Sequence, residues 1–329
     1  MFGRHAWVVD PKGEYGPLAA ACGVTPIRVA PGSPLRLNPL DAGPGYTQLG
    51  AEAVTRRRVG LLTSLAAASL GRPLTPEEQT ACEIALRAAE AARPESVTLP
   101  DVVDALLWPT DTAADDIAWD VRDLAAASRH VALELRRLCR GDLAGLFDGP
   151  TSPGIDLDAP LVVLDLSAVY GSDAMGLLML CAAAWLQASL TARRDKLIFV
   201  VDEAWAILRD VAIGRWLQAS WKLSRQFGVS NIAVVHRLSD LQAGAEGSEQ
   251  ARLAEGLLAD SETRVIYGQA PGEVAAARHL LDLTDVEADV LPDLGRGVAL
   301  WRVGPRPFLV QHTLGAHERA IVDTDTRMA

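Results

Sequence analysis

The segment LIFVVDEAWAIL, residues 197–208, decides the fold class of this chain. Its five consecutive apolar residues, 197–201, are typical of a strand buried on both faces, as in a parallel sheet covered by helices. The run is followed at once by two carboxylates, Asp202 and Glu203, and then by apolar residues at helical spacing. In open α/β sheets, ligands bind outside the carboxyl ends of the strands. The segment therefore predicts a parallel strand that delivers two acids to a place where ligands bind.

Two interpretations of the acidic pair are open at this point. Asp is a favoured helix N-cap residue, and Glu in the first helical turn is stabilised by the helix dipole. In the second interpretation, Asp202 holds Mg²⁺ and Glu203 activates water, as in the Walker B segment of an ATPase. Both roles are compatible for Asp202.

Composition indicates a globular protein and limits the kinds of partner. The chain has 329 residues, 49% hydrophobic and 22% charged, which suits two domains or one large core with an insertion. A net charge of −11 disfavours a surface that is basic throughout and binds nucleic acid by charge alone. The arginines at 56–58 are interpreted as a solvated helix face. The tryptophans are interpreted as packing residues rather than a base-stacking platform: Trp108, Trp185, Trp205 and Trp216.

Cysteine spacing and hydropathy give two further expectations. The four cysteines form no CxxC pair, which argues against a zinc site or a disulfide framework and fits a reducing cytosol. The longest apolar run, residues 174–186, is too short to span a bilayer, so we interpret it as a buried helix.

Hydrophobic periodicity divides the chain into strand-like and helical regions. Strands are predicted at 6–10, 161–167, 197–201, 231–236 and 263–268, with a last pair over 297–303 and 307–314. Helical spacing and capping signals dominate residues 46–145, including a capping box at Thr75 and Glu78. The expected fold is a mainly parallel α/β sheet flanked by helices, with an α/β core at 1–45 and 146–329 and an all-helical insertion at 46–145.

Six stretches, in their order along the chain, carry a family resemblance. They are VVDPKGEY (8–15), LNPLD (37–41), LFDGPTS (146–152), LVVLDLS (161–167), LIFVVDEAW (197–205) and SRQFGVSNIAVVHRLSDL (224–241). Together they resemble the C-terminal ATPase domain of type IV secretion and conjugative-transfer ATPases, in the HerA–FtsK superfamily of RecA-like motors. The resemblance covers nearly the whole chain, including the helical insertion after LNPLD.

The resemblance implies ATP and Mg²⁺ as cofactors and assigns roles to particular residues. Asp202 would hold the metal and Glu203 would orient or deprotonate the attacking water. Arg225 occupies the place of an arginine that reaches a neighbouring subunit's nucleotide, although a surface arginine on an amphipathic helix fits the pattern equally well. His236, four residues before Asp240, takes the place of a sensor that is usually Gln in relatives.

Two residues of the first motif complete the implied site. Glu14 would be a second acid near the nucleotide, and Lys12 would contact a phosphate or a neighbouring subunit. Asp10 has a simpler interpretation, in which it only stabilises the turn before Pro11.

One element of the family is missing from the sequence. The phosphate-binding loop, GxxxxGKS or GxxxxGKT, should lie shortly before the DPKGEY strand, and no segment matches it. We expect that the first strand and this loop lie before Met1, so that the chain is truncated after the loop. The chain alone is then expected to be aggregation-prone and inactive in ATP turnover.

The function that the resemblance implies is an ATP-binding motor domain that powers conjugative DNA transfer or type IV secretion. It would work as a hexameric ring at the cytoplasmic face of the inner membrane, with membrane-embedded secretion components as partners and DNA as a further one. Two alternatives stay open: a HerA-type or coupling-protein-type DNA translocase, and a non-catalytic subunit that acts only through protein contacts.

Overall fold

The structure is a computed structural model, and it divides into two compact units that are described separately. The first comprises residues 1–202 and 224–232, and the second comprises 203–223 and 233–329. The described residues are 3–30, 32–41, 50–94, 96–141, 144–156, 159–172, 175–181, 196–208, 211–239 and 248–322.

A five-stranded sheet forms the frame of the first unit. Its strands, in chain order, are β1 (Arg4–Asp10), β2 (Ile27–Arg28), β3 (Leu161–Asp165), β4 (Lys196–Val201) and β5 (Val229–Ala233). In space the order is β2-β3-β1-β4-β5, and β1 pairs in parallel with both β3 and β4. The first helix, α1 (Gly16–Ala21), packs its Ala19 against Val8, Leu161 and Val163. The predicted mainly parallel α/β fold is therefore confirmed, with β4 inside the sheet.

Two of the strand predictions need correction. Residues 263–268 do not continue the parallel sheet, because this strand pairs antiparallel with a neighbour in the second unit. Its burial alternates along the chain, the period-two pattern of a strand with only one face packed on a core. In addition, β5 ends at Ala233, so His236 lies beyond the strand rather than at its end.

Helices fill the described residues between 50 and 141. They are α2 (Ala51–Leu70), α3 (Pro76–Ala92), α4 (Leu99–Leu107), α5 (Asp111–Asp115) and α6 (Val121–Arg140). Fully buried leucines from several of these helices, among them Leu62, Leu86, Leu99 and Leu135, give this region its own apolar core. The division of the chain at 45 and 145 stays a prediction.

The segments on either side of these helices bind each other directly. The N–H of Arg36 donates to Ser152 Oγ at 2.9 Å, and the Arg36 Nε donates to Asp148 at 2.7 Å. The backbone N–H of the buried Asn38 donates to Thr151 Oγ1, and its side-chain amide donates to the Val97 carbonyl, both at 2.9 Å. The LNPLD and LFDGPTS motifs therefore bind each other at the base of the helical region, although Asn38 and Thr151 are 113 positions apart.

The arginine cluster at 56–58 is not the solvated face that its sequence predicts. Arg58 is buried, donates from Nε to the Leu40 carbonyl and from Nη1 to Glu90, both at 2.7 Å. Burial, reinforced by the charge of Arg58, lowers the pKa of Arg57 to about 10. Only Arg56 keeps the exposed position that a solvated face requires. Arg58 instead links α2 to α3 and to the LNPLD segment.

The second unit contains helices and a small antiparallel sheet. Its helices are α7 (Ala204–Leu208), α8 (Val211–Phe227, which enters the first unit), α9 (Glu249–Ala259), α10 (Val274–Leu281), α11 (Asp285–Asp289) and α12 (Ala316–Val322). Its sheet has the order β6 (Thr263–Tyr267), β7 (Val298–Val303) and β8 (Arg306–Gln311). One face of this sheet packs Ile266 and Leu300 against Ala277, Leu281 and Leu291.

Two arginines on β6 and β7 satisfy the carbonyl ends of nearby helices. Arg264 donates to the carbonyls of Leu281 and Leu258, and Arg302 donates to those of Leu281 and Asp282, all at 2.9 Å. The last carbonyls of a helix have no partner within the helix, and cations near them are favoured by the dipole. The two side chains thus hold α9 and α10 to the sheet.

Two global properties follow from the described residues. Across these ranges, no helix is both long enough and apolar enough to cross a bilayer.

All four cysteines are free thiols: Cys22 is exposed, whereas Cys82, Cys139 and Cys181 are buried. Burial raises the pKa of Cys82 and of Cys139 to about 12, and it raises that of Cys181 as well.

The capping box at the start of α3 generates a pH-dependent stability prediction. Glu78 receives the Thr75 N–H at 2.9 Å and two Arg72 nitrogens at 2.8 and 2.7 Å. Arg72 is the main reason that the pKa of Glu78 is below its ordinary value. Glu78→Gln should cost up to about 1 kcal/mol of unfolding free energy at pH 7, because glutamine can still accept the Thr75 N–H but loses the ion pair with Arg72. A depressed native pKa stabilises only while the carboxylate is charged, so this difference should shrink as pH falls through that pKa.

Urea unfolding of both proteins between pH 7 and pH 3 measures the effect. The matched control is Glu77→Gln, because Glu77 lies in the same helical turn but is exposed. A difference between wild type and Glu78→Gln that stays constant over this pH range would contradict the prediction.

Candidate functional site

Three aspartates stand at the carboxyl ends of neighbouring strands in the first unit. Asp165 ends β3 and lies in register with Asp10, which ends β1. Asp202 follows β4, and its N–H donates to the Val9 carbonyl at 3.2 Å. Because parallel strands end at the same edge of a sheet, their functional side chains collect there. Asp202, the first acid of segment 197–208, therefore lies at the edge of the sheet where ligands of α/β proteins bind.

Asp10 holds the turn that follows β1. Its carboxylate is 1% exposed and accepts the N–H groups of Gly13 at 2.8 Å, Glu14 at 3.1 Å and Tyr15 at 3.0 Å. Three backbone donors satisfy the charge that burial would otherwise penalise. Asp10 is therefore a structural residue that shapes the DPKGEY turn, as its simpler interpretation had it.

Gly13 is required in this turn for two reasons. Its φ of +77° lies in the left-handed region, and a Cβ atom there would meet Ser167 at 3.3 Å. Ser167 is itself fixed, because its N–H donates to Asp165 Oδ1 at 2.9 Å. The turn after β1 and the end of β3 thus approach closely, and glycine permits the approach.

Tyr15 connects the turn to the first acid of the DEAW segment. Its hydroxyl is hydrogen-bonded to the side chain of Asp202. Burial, followed by the charges of Asp202, Asp10 and Glu14, raises the pKa of Tyr15 above its usual range. The phenol therefore stays protonated at physiological pH and donates a hydrogen bond to the Asp202 carboxylate.

In the second unit, Glu203 is held by two side chains. Its carboxylate is 2% exposed, receives the indole N–H of Trp205, and lies 3.1 Å from Nε2 of His236. The N–H of Ala204, the first residue of α7, donates to the Val234 carbonyl at 3.0 Å, so the chain leading to His236 runs beside this turn. The structure thus brings together Glu203 and His236, two of the residues assigned catalytic roles by resemblance.

The backbone at Glu203 is unusual. Its φ is +49°, in the left-handed region that non-glycine residues seldom occupy. Such conformations cost about 1–3 kcal/mol and cluster at functional sites. An acid that served only as a helix cap would not need this strain.

The structure says less about the positions of the other residues that the resemblance implies. Lys12 is exposed on the DPKGEY turn, and Glu14 is half-buried near Tyr15. Arg225 belongs to α8, but its side chain lies outside the described part of the structure, as does Asp240. The roles of Lys12, Glu14 and Arg225 therefore stay predictions.

Asp202 suits a magnesium ion that arrives with phosphates. Mg²⁺ is usually held by one or two carboxylates together with waters and substrate phosphates. The Tyr15 hydroxyl is one partner of the Asp202 carboxylate, and carboxylate oxygens are ligands that Mg²⁺ accepts. The described residues include no group of three or more His, Cys, Asp or Glu side chains able to hold a metal by themselves. The donor set fits a metal shared with a nucleotide and does not fit a metal held by protein alone.

Two residues of the site were missed at the level of sequence. Sequence patterns assign no role to Tyr15, the last residue of the VVDPKGEY motif, and they predict a packing role for Trp205. Each places a polar hydrogen beside a functional acid, which is common for a buried Tyr or Trp near polar groups. The sequence does offer one sign of these roles: Tyr15 and Trp205 each carry a polar hydrogen and lie within two residues of a glutamate in their motifs.

Sequence comparisons and structure comparisons give different results. The sequence matches no protein-family model, and a search of curated proteins finds no match. VirB4 of Thermoanaerobacter pseudethanolicus has a similar structure, with a TM-score of 0.75 and 19% identity over 97% of this chain and 84% of that one. The bacterial conjugative coupling protein TrwBdeltaN70 gives a TM-score of 0.53 and 14% identity, covering 95% of this chain and 85% of its own.

A second TrwB structure carries a nucleotide. This plasmid coupling protein in complex with ADP and Mg²⁺ has a TM-score of 0.52 and 13% identity, over 95% of this chain and 87% of that one. At these identities the likeness establishes the fold. The chain has the RecA-like fold of VirB4 and TrwB, as the six motifs predicted.

The close approach at Gly13 yields a stability prediction. Gly13→Ala should lower the unfolding free energy by about 1–2 kcal/mol, because an L-residue pays that much for the left-handed conformation. The control is Gly60→Ala: Gly60 lies inside α2 with open space around the added Cβ, and that substitution should be neutral or stabilising. Urea unfolding measures both. Equal losses in the two variants would show that the Gly13 turn is not the constraint described here.

Proposed function

We propose that this chain is the nucleotide-hydrolysing part of a motor that powers conjugative DNA transfer or type IV secretion. The observation that carries the proposal is the acidic pair after β4, with Asp202 fixed by Tyr15 and Glu203 fixed by Trp205 and His236. The fold shared with VirB4 and with a coupling protein that binds ADP and Mg²⁺ supports it.

The residues of the chain would divide the work of hydrolysis. Asp202 would bind Mg²⁺, which neutralises charge on the phosphate oxygens when it is bound. Glu203 would orient the attacking water and accept its proton. Its left-handed backbone and its two side-chain partners would hold the carboxylate ready for this step.

His236 would connect Glu203 to the phosphate. It is 50% exposed and lies 3.1 Å from the Glu203 carboxylate, so its imidazole touches the acid while its outer edge remains accessible. A histidine donates a hydrogen bond as the glutamine of relatives would. We infer that it senses the γ-phosphate and transmits its presence to Glu203.

The phosphates need a further partner. The described acids repel a triphosphate, and the printed sequence contains no GxxxxGKS or GxxxxGKT segment. Two cations lie near this edge: Lys12, exposed on the turn beside Asp10, and Arg28, whose Nε is 3.9 Å from Asp165 Oδ2. Phosphate binding would therefore need backbone N–H donors in addition to the residues named above.

The assembly that we propose is a homo-oligomeric ring, hexameric by resemblance, at the cytoplasmic face of the inner membrane beside membrane-embedded secretion components. Arg225 would reach the nucleotide of the neighbouring subunit. A HerA-type DNA translocase remains the alternative within the same fold, and DNA would then be the transported partner. The net charge of −11 favours protein contacts over bulk DNA binding.

Glu203-dependent ATP hydrolysis tests the proposal. The 329-residue chain alone should show no ATP turnover above background, whereas a chain with a strand and a GxxxxGKT loop joined in front of β1 should hydrolyse ATP. Glu203→Gln should lower kcat of the joined chain by about 10²–10⁴-fold, the usual contribution of a general base, and should leave nucleotide binding intact. Phosphate release and fluorescent-nucleotide binding measure the two quantities.

The matched control is Glu255→Gln, which changes an exposed glutamate on α9 and should leave kcat unchanged. Failure of the joined chain to hydrolyse ATP, or full activity of its Glu203→Gln variant, would refute the assignment. Robust hydrolysis by the 329 residues alone would contradict only the expectation that they are inactive.

The role of Arg225 between subunits predicts complementation. In the joined chain, Arg225→Ala and Glu203→Gln should each be inactive. A mixture of the two should recover activity, because about a quarter of the interfaces in randomly mixed rings then pair an intact glutamate with an intact arginine. Phosphate release from the mixture is the measurement. No recovery in rings shown to exchange subunits would place Arg225 outside the neighbouring site.

A further inference from the structure

The exposed face of α6 carries a row of arginines. Arg122, Arg129 and Arg136 follow one another at intervals of seven residues, and all three are exposed. Because an α-helix has about 3.6 residues per turn, seven residues fall about 20° short of two turns and advance about 10 Å along the axis. The exposed Arg140 continues the row. These four residues form the arginine stripe, which occupies about 40° of the helix circumference.

The stripe is not neutralised by neighbouring acids. Within the described ranges, the first three of its guanidinium groups have no carboxylate partner, and Arg140 has Asp104 at 3.8 Å. The two acids of α6, Asp123 and Glu134, lie about 120–140° around the helix from Arg129. With five arginines and two acids, α6 has a formal net charge of +3. The stripe therefore presents largely unpaired positive charge to the solvent.

Two features of α6 argue against a protein or a membrane as the partner of the stripe. The exposed face of α6 offers one large apolar side chain, Leu133, and the helix contains no Phe, Tyr or Trp. Protein interfaces instead have an apolar centre in which aromatic residues are enriched. The apolar face of α6 is already buried, through Val131, Leu135 and Leu138 among others, so it is not available to insert into a bilayer. These features favour a partner that is bound by charge.

We propose that the arginine stripe binds the phosphate backbone of double-stranded DNA. Arginine carries a planar fork of donors that matches phosphate, and it stays charged at physiological pH. The row from Arg122 to Arg136 is about 20 Å long, and one strand of B-DNA has a phosphate about every 3.4 Å along the axis, so about six phosphates lie beside the row. The biological role of this contact rests on the proposed function, whereas the contact itself needs no nucleotide.

The absence of aromatic side chains from α6 selects the duplex over single-stranded DNA. Proteins that bind single strands without sequence preference stack the bases on aromatic residues. Contacts to phosphate, in turn, carry no sequence information. The stripe should therefore bind duplexes of different sequence equally and should bind single strands more weakly.

The acidic composition of the chain limits the strength of this contact. The net charge is −11, and residues 76–116, which precede α6, hold ten acids and two arginines. These acids reduce the affinity for DNA. At physiological ionic strength, however, exposed charges are screened beyond about 8 Å, so phosphates in contact with the stripe interact mainly with its guanidinium groups. The site is therefore local and weak, which agrees with a net charge that disfavours DNA binding over the whole surface.

DNA binding by the full chain tests the proposal. The probe is a fluorescently labelled duplex of about 20 base pairs, longer than the stripe, and fluorescence anisotropy is recorded without nucleotide. The dissociation constant should rise with salt between about 50 and 200 mM, with a log–log slope of about 3, because roughly three phosphates are neutralised. A second duplex of unrelated sequence should bind equally, and a single strand of the same length should bind more weakly.

Matched double variants locate the site. Arg129→Gln combined with Arg136→Gln removes two charges from the stripe, should weaken duplex binding by about tenfold and should lower the slope to about 1. Arg306→Gln combined with Arg319→Gln removes two exposed arginines of the second unit that also have no ion pair within the described residues, and should change binding by less than about twofold. Arg129→Lys combined with Arg136→Lys should keep most of the affinity, because the charge is retained. Circular dichroism verifies that each variant is folded.

Four results would overturn the proposal. The first is no duplex binding, or equal binding by the two glutamine double variants. The second is tighter binding of the single strand than of the duplex. The third is stripe-dependent binding to vesicles that contain phosphatidylserine, with no binding to DNA. The fourth is self-association of the chain in sedimentation experiments that the stripe variant abolishes, because the occupant would then be a second copy. None of these measurements uses ATP, so failure here leaves the assignment of Glu203 untouched.

Discussion

The structure depends on one buried charge, the carboxylate of Asp10. It lies at the end of β1, the middle strand of the five-stranded sheet, and accepts three consecutive backbone N–H groups. This clamp sets the course of the turn, and the turn places Gly13 against Ser167 and Tyr15 against Asp202. Without these three hydrogen bonds, the buried carboxylate of Asp10 would have no backbone donors to satisfy its charge. The turn that places Gly13 and Tyr15 would then no longer be held in position.

The helical region is attached to this core by hydrogen bonds rather than by strands. Asn38 and Arg36 bind residues that follow α6 in the chain, so the two ends of the region are joined at its base. Contacts of this kind let roughly a hundred residues form their own apolar core without disturbing the sheet.

Sequence patterns predicted most of the fold because the signals were strong and local. Five apolar residues ahead of Asp202 indicated a strand inside a parallel sheet, and the capping box at Thr75 marked the start of a helix; both are present. The misplaced strand at 263–268 shows the limit. A short run of five residues is compatible with either sheet, and only its pairing with β7 decides between them.

The site was less accessible to sequence than the fold. Motif order identified Asp202, Glu203 and His236 as candidates, but the residues that hold them came from tertiary structure. Tyr15 is far from Asp202 in the chain, and the left-handed backbone of Glu203 has no signature in its residue type. Arg58 and Trp108 show the same limit in opposite directions, since a charged residue is buried and a large aromatic one is exposed.

The four thiols have a practical consequence for experiments on this molecule. Cys82, Cys139 and Cys181 are buried and have raised pKa values, which keep them as unreactive thiols, whereas Cys22 is exposed just after α1. Thiol reactivity follows access and the fraction of thiolate. A maleimide dye or spin label added to the native chain will therefore attach at Cys22, and distances or subunit counts can be recorded from the unaltered sequence.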